Sequence, residues 1–190
     1  MQEGVGFLTE IRPFKDKYKI VQIYCQSGDI VSGLVRNNAK KDSIYQLGNL
    51  VKYNHFKKEK GLGVIDCEAV CLYTSIFFDN RLKYSIVLYS IFLLKSFFKD
   101  KDSVHNLVDL YITFFDHLKF DNSISKAAYL NFENKVLQMT GLCGNIKELN
   151  TNEMLLNNAR AVENIYHQLN NYQMQKDITM LRVYLIKNLF

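Results

Sequence analysis

Seven of the nine glycines (Gly4, Gly6, Gly28, Gly33, Gly48, Gly61 and Gly63) and the only proline, Pro13, lie within the first 63 residues of this 190-residue chain. Both residue types serve turns, bulges and close backbone approaches, and both weaken helix interiors. The other two glycines, Gly141 and Gly144, stand together where a helix would end. A single uniform architecture is therefore excluded, and the change falls near residue 75. The length suits one medium domain or two small ones, and 48% hydrophobic residues, with 13% aromatics, supply a core.

The first part reads as short strands between turns. Val5 to Ile11 is apolar with partial alternation. Tyr18 to Gln26 alternates, with Tyr18, Ile20, Gln22, Tyr24 and Gln26 on one face and Lys19, Val21, Ile23 and Cys25 on the other. Ser27-Gly28-Asp29 is a hairpin turn. Ile30 to Arg36 follows, with Gly33 marking a bulge or sharp bend. After a polar loop come Leu50 to Phe56 and Leu62 to Val70, separated by a lysine-rich turn. Five strands in about seventy residues suit a small closed barrel better than an open sheet.

The second part has helical spacing. Leu82 to Phe98 is a nearly all-apolar helix, too short to span a bilayer and interrupted by Lys95. Ser103 can cap a helix over 104–118, and Asn122, Ser123 and Ser125 open a third that ends at Gly141. Asn152 and Asp177 begin a fourth and a fifth. The expected fold class is α+β: a barrel over residues 1–76 followed by an all-helical domain over 77–190.

Catalytic signatures are missing: no G-x-S-x-G, Walker A or H-E-x-x-H occurs. Asp66 and Glu68 share a strand face, but acidic residues on a solvated strand are commoner than general acids. Asp109 and Asp116, near His105 and His117, are read as a solvated helix surface rather than a metal site. No enzyme, cofactor or metal site is expected. The cysteines Cys25, Cys67, Cys71 and Cys143 include no C-x-x-C pair. Reduced thiols in a cytoplasmic protein without a signal peptide or membrane span are expected.

The net charge of +5 is unevenly placed. Residues 8–60 hold eleven basic side chains, Arg12, Lys15, Lys17, Lys19, Arg36, Lys40, Lys41, Lys52, Lys57, Lys58 and Lys60, against five acidic ones. Residues 77–190 hold thirteen against eleven. Interleaved with the basic set are Phe14, Tyr18, Tyr24, Tyr45, Tyr53 and Phe56. Lysines that neutralise phosphates and aromatics that stack on bases are how a barrel holds a single strand. Charge alone balances this against solubilising lysines and tyrosines that pack the barrel, because 19 lysines and 18 asparagines are spread along the whole chain.

The order of four stretches resembles the RecO family of bacterial recombination mediators. Gly4-Val5-Gly6-Phe7-Leu8 through Arg12-Pro13-Phe14 is similar to that family's opening strand and its R-P-Y/F element. Ser27 through Arg36, with the run Ser32-Gly33-Leu34-Val35-Arg36, resembles its second hairpin. Gln46-Leu47-Gly48-Asn49-Leu50-Val51 resembles its Q-P-G-N strand entry, and Gly61-Leu62-Gly63 with Cys67-Glu68-Ala69 its last strand. The resemblance implies an OB-fold barrel that binds single- and double-stranded DNA and anneals complementary strands. It also implies two partners, RecR and the C-terminal tail of single-strand-binding protein, in loading RecA. Arg36, Lys40 and Lys41 match the family's basic loop, and Lys15, Lys17 and Lys19 a neighbouring turn. Departures are Asn37 and Leu47 where the family has glycine and proline, a shorter loop and a shorter chain. Cys143 stands alone where many members carry a zinc cluster, so no zinc is expected. Two rival expectations are a protein-interaction adaptor that keeps the fold and binds DNA weakly, and an RNA-binding barrel.

Overall fold

Side chains that alternate along the first seventy residues put Leu8, Val21, Ile23, Val31, Val35, Val51, Tyr53, Ile65 and Cys67 into one buried cluster. The structure is a computed structural model and describes residues 1–97, 106–121, 124–139, 141, 143, 150–168 and 172–189. Five strands, β1 (Gln2–Phe14), β2 (Tyr18–Cys25), β3 (Ile30–Arg36), β4 (Leu50–Phe56) and β5 (Gly63–Cys71), close in the order β1-β2-β3-β5-β4. That is the five-stranded barrel of an OB fold.

β1 is longer at both ends than its apolar run Val5 to Ile11. Its first half pairs with β4 and its second half with β2, so it serves two neighbours in turn. A register shift between Leu8 and Glu10 turns the strand round the corner between them. β3 and β4 have the expected bounds, whereas β5 is one residue later and Gln26 lies outside β2. The hairpin turn at Ser27-Gly28-Asp29 is present, with Gly28 at φ 86°. Closure comes from β3 and β5, which pair in parallel at only two positions, Gly33↔Gly63 and Leu34↔Val64. Gly33 permits that seam, since a Cβ there would meet Ile65 Cγ1 at 2.7 Å.

Six helices follow among the described residues: α1 (Tyr73–Ile76), α2 (Arg81–Phe97), α3 (Leu107–Phe120), α4 (Lys126–Met139), α5 (Thr151–Gln168) and α6 (Tyr172–Leu189). α1 is a single turn that periodicity does not reveal. α6 starts five residues before Asp177, because a plausible capping residue is not a break when the preceding residues also favour helix. Ser103, Asn122, Ser123 and Gly144 lie outside the described residues. Ser125 caps α4 by accepting from the Ala128 N–H at 3.0 Å. Asn150 and Glu153 form a reciprocal capping box on α5. At the other end of α3, the buried Lys83 ammonium donates to the carbonyls of Leu118 and Asp121, both at 2.6 Å, satisfying acceptors the helix leaves open.

Phe7, Tyr24 and Leu50 share a buried cluster with Tyr73, Phe77, Tyr111 and Phe115. The outer surface of the barrel is thus covered by helices where β1, β2 and β4 meet. Asn49 and Gly48 secure this junction. The buried Asn49 amide donates to the Ser43 and Ile44 carbonyls and its oxygen accepts from the Thr74 N–H. Gly48, at φ 88°, lets the backbone touch α2, where a Cβ would meet Val87 Cγ1 at 2.5 Å. Asp109 and Asp116 serve the same junction, accepting from Gln26 Nε2 at 2.6 Å and from the Tyr73 hydroxyl at 2.8 Å.

The helical part has a polar centre. Glu133 on α4 accepts from Tyr89 Oη at 2.6 Å, Asn158 Nδ2 at 3.0 Å and Arg182 Nε at 3.2 Å, so α2, α5 and α6 all converge on one carboxylate. Burial alone would lower the pKa of Arg182, but Glu133 and the tyrosines beside it reverse the sign and hold the guanidinium protonated. No described helix is long and apolar enough to cross a membrane.

Candidate nucleic-acid interface

Residues paired across neighbouring strands share a face, so the strand register gives the exposed surface directly. One row crosses all five strands: Arg12, Ile20, Leu34, Val64 and Phe56 are successive partners. A second row, Phe14, Tyr18 and Arg36, lies beside it. Phe56 is 50% exposed, Val64 37% and Tyr18 36%. Val64 and Phe56 are thus exposed side by side at one end of the first row and Arg12 at the other, with Leu34 half-buried and Ile20 buried between them, and Tyr18 is exposed in the second row.

The basic residues fall into three groups. β1 and β3 end, and β2 begins, at one end of the barrel. Lys15 and Lys17 in the turn, Lys19 on β2, Arg36, and Lys40 and Lys41 in the loop are gathered there. Lys57, Lys58 and Lys60 occupy the turn between β4 and β5 at the opposite end, next to Phe56. Lys52 faces outward on β4 opposite Glu68 and away from the first row. That row thus runs between two basic clusters.

Several of these cations already have partners. Lys19 contacts Asp42 at 2.8 Å, Lys41 contacts Asp66 at 2.6 Å, and Arg12 is 3.8 Å from Glu10, which Lys95 also meets at 2.9 Å. The Lys15 ammonium lies 5.5 Å from the Phe14 ring centre. Lys17, Arg36 and Lys40 form no ion pair with any described residue. The loop that carries Lys40 and Lys41 is ordered locally: Asn38 caps a 3-10 turn, Ala39–Lys41, by accepting from the Lys40 N–H. The Asn37 amide ties the same loop to the Asp16 carbonyl.

Past Leu34 and Val64, β3 and β5 diverge. The gap is an open cleft of about 570 Å³ lined by Arg36, Asn38, Lys41, Tyr45, Val64 and Asp66, among others. Lys41 binds Asp66 through Oδ1 alone and reaches the Cys67 carbonyl at 3.4 Å. At the opposite end His55 points into the barrel. It is 8% exposed, and neither ring nitrogen has a partner among the described residues. Burial, then Lys57 and the chain's amino terminus, push its pKa below the usual value. Burial likewise pushes the thiols of Cys25 and Cys67 up, to about 11 and about 12.

Three of the six aromatics noted in the sequence are unavailable for stacking. Tyr53 and Tyr45 belong to the barrel core, and Tyr24 is covered by the helices, all three being buried. Strand parity with Val51 would have excluded Tyr53 in advance; the covering of Tyr24 depends on where α3 packs. Nothing in the sequence marks Leu34 and Val64 as neighbours on the surface, because their alignment appears only once the pairing of β3 with β5 is known.

No protein-family model matches the chain. Curated proteins named DNA repair protein RecO do: that of Rickettsia felis is 28% identical over 141 residues, or 73% of this chain. Those of Rickettsia canadensis and Rickettsia bellii are 26% and 27% identical over the same share. The match spans 58–59% of the length of each relative.

Proposed function

We propose that the chain is a RecO-type protein, on the support of relatives 25–28% identical over 73% of its length, and that it acts as a non-catalytic DNA-binding mediator of repair. In this reading the barrel, residues 1–76, holds single- and double-stranded DNA and brings complementary strands together. The helical part, 77–190, meets RecR and the tail of single-strand-binding protein, and the assembly loads RecA. The observation that carries the reading is the row Arg12–Ile20–Leu34–Val64–Phe56, exposed at Arg12, Val64 and Phe56, with basic clusters at both ends. Bases stack on Phe56 and Tyr18, while Arg12, Lys15, Lys17, Arg36, Lys40, Lys57, Lys58 and Lys60 neutralise phosphates. Lys19, Lys41 and Lys52 contribute to the field at longer range.

The test is anisotropy of labelled single strands over a salt series. Neutralising Lys17, Arg36 and Lys40 together to Gln removes three phosphate contacts. It lowers the slope of log K against log salt by about 2, at about 0.7 per contact on single strands. An unchanged slope overturns the assignment. Annealing of strands coated with single-strand-binding protein tests the mediator role, and loss of activity with retained DNA binding would separate the two.

A further inference from the structure

We propose that the cleft between β3 and β5 receives one unstacked guanine of the bound strand and that Asp66 reads it; this rests on the DNA-binding function above. The cleft begins where the row crosses the seam, at Leu34 and Val64, so a base leaving the row enters it directly. Its volume, about 570 Å³, lies in the range of small-ligand sites. Val64 supplies an apolar wall.

The carboxylate is the informative group. In a surface otherwise suited to phosphates, Asp66 repels phosphate, and it favours only a ligand that presents N–H donors. It is 56% exposed on its side chain and fixed by the Lys41 ammonium at 2.6 Å on Oδ1, while Oδ2 has no partner among the described residues. A carboxylate accepts through both oxygens, each with two lone pairs. Guanine alone among the four bases carries two adjacent donors on its pairing edge, the ring N1–H and the exocyclic amino group, with the O6 acceptor beside them. The donors face Asp66 and O6 faces the Lys41 ammonium. Thymine has one N–H between two carbonyls. Adenine and cytosine place a ring acceptor where guanine has its N1–H, and that acceptor meets the carboxylate unfavourably. Single-stranded bases are read in this way, on their pairing edges, once they are unstacked.

The experiment uses the full chain and short oligothymidylates with one central position replaced by guanine, adenine, cytosine or hypoxanthine. Hypoxanthine is guanine without the exocyclic amino group. The guanine strand is expected to bind roughly tenfold tighter than the all-thymine strand, in the lower part of the range for a bidentate base contact. Hypoxanthine loses most of that advantage. Asp66→Asn, at an exposed strand position, binds the guanine strand no more tightly than the all-thymine strand. Equal affinities in the native protein, or a guanine preference that survives Asp66→Asn, overturn the proposal and leave DNA binding standing. Failure to bind any strand overturns both. The hypoxanthine comparison needs no variant and stands even if Asp66→Asn does not fold.

Discussion

Removing the charge of Glu133 leaves its buried cationic partner stranded. Glu133 is 1% exposed and the Arg182 side chain 11%, Arg182 Nε lies 3.2 Å from Glu133 Oε1, and Arg182 Nη2 has no hydrogen-bond partner among the described residues. Glu133→Gln keeps the volume and most hydrogen-bonding capacity but leaves the guanidinium buried without a counter-ion. Breaking a buried pair from one side costs about 3–5 kcal/mol, because the remaining charge keeps its desolvation penalty. A chain of this kind has a total stability of about 5–15 kcal/mol, so the variant sits near its threshold. At about 2–4 °C per kcal/mol, the melting temperature falls by about 6–20 °C. Arg182→Met strands the carboxylate instead, with Tyr89 and Asn158 still donating to it, and costs less. The double variant Glu133→Gln/Arg182→Met costs less than the two single losses combined, by about 1–3 kcal/mol, since no uncompensated charge is left. Urea unfolding followed by far-UV circular dichroism measures all three. A loss under about 1 kcal/mol for Glu133→Gln, or strict additivity in the double variant, would refute the reasoning: the pair would then be solvated and not the point on which α2, α4, α5 and α6 converge.

Two further outcomes follow from the barrel. Gly48→Ala places a Cβ at φ 88° and 2.5 Å from Val87 Cγ1. The left-handed conformation costs about 1–2 kcal/mol and the overpacking about 1–3 kcal/mol more, read as a drop in the urea midpoint, which an unchanged midpoint would contradict. His55 has a folded pKa below its unfolded 6.5. The unfolded chain therefore binds its proton first, and the associated stability is complete above about pH 6.5 and lost as pH falls from there through the folded value. Comparing urea midpoints at neutral and mildly acidic pH, His55→Leu should lose less on acidification than the native protein; equal losses would mean the ring is hydrated.

The strands were legible because β3 and β4 alternate cleanly and are bounded by Gly28-Asp29 and the lysine-rich turn. β1 extends beyond its legible apolar run because Gln2, Glu3 and Arg12 are polar and carry no apolar signal. The positive charge of the barrel was legible as a number but not as an arrangement. That Lys57, Lys58 and Lys60 stand across the row from Arg36 and Lys40 follows from strand directions, which need the register. Asp66 looked like an ordinary solvated carboxylate because its meaning depends on Lys41, twenty-five residues away in sequence. The Glu133 network was invisible for the same reason: its members lie on α2, α4, α5 and α6, and nothing local marks Glu133 as buried.

The two-pair closure between β3 and β5 bears on self-association as well as on ligand binding. A barrel joined by so few backbone pairs is close to an open sheet, and thermal opening of that join would expose two unpaired strand edges. Such edges are templates for another chain. Lysines are among the residues that blunt them, and here Lys40 and Lys41 flank one end of the join while Lys57, Lys58 and Lys60 precede β5 at the other. The charges proposed to hold a phosphate backbone also keep a second copy of the barrel from completing the sheet, so neutralising them to weaken DNA binding removes a guard against aggregation as well.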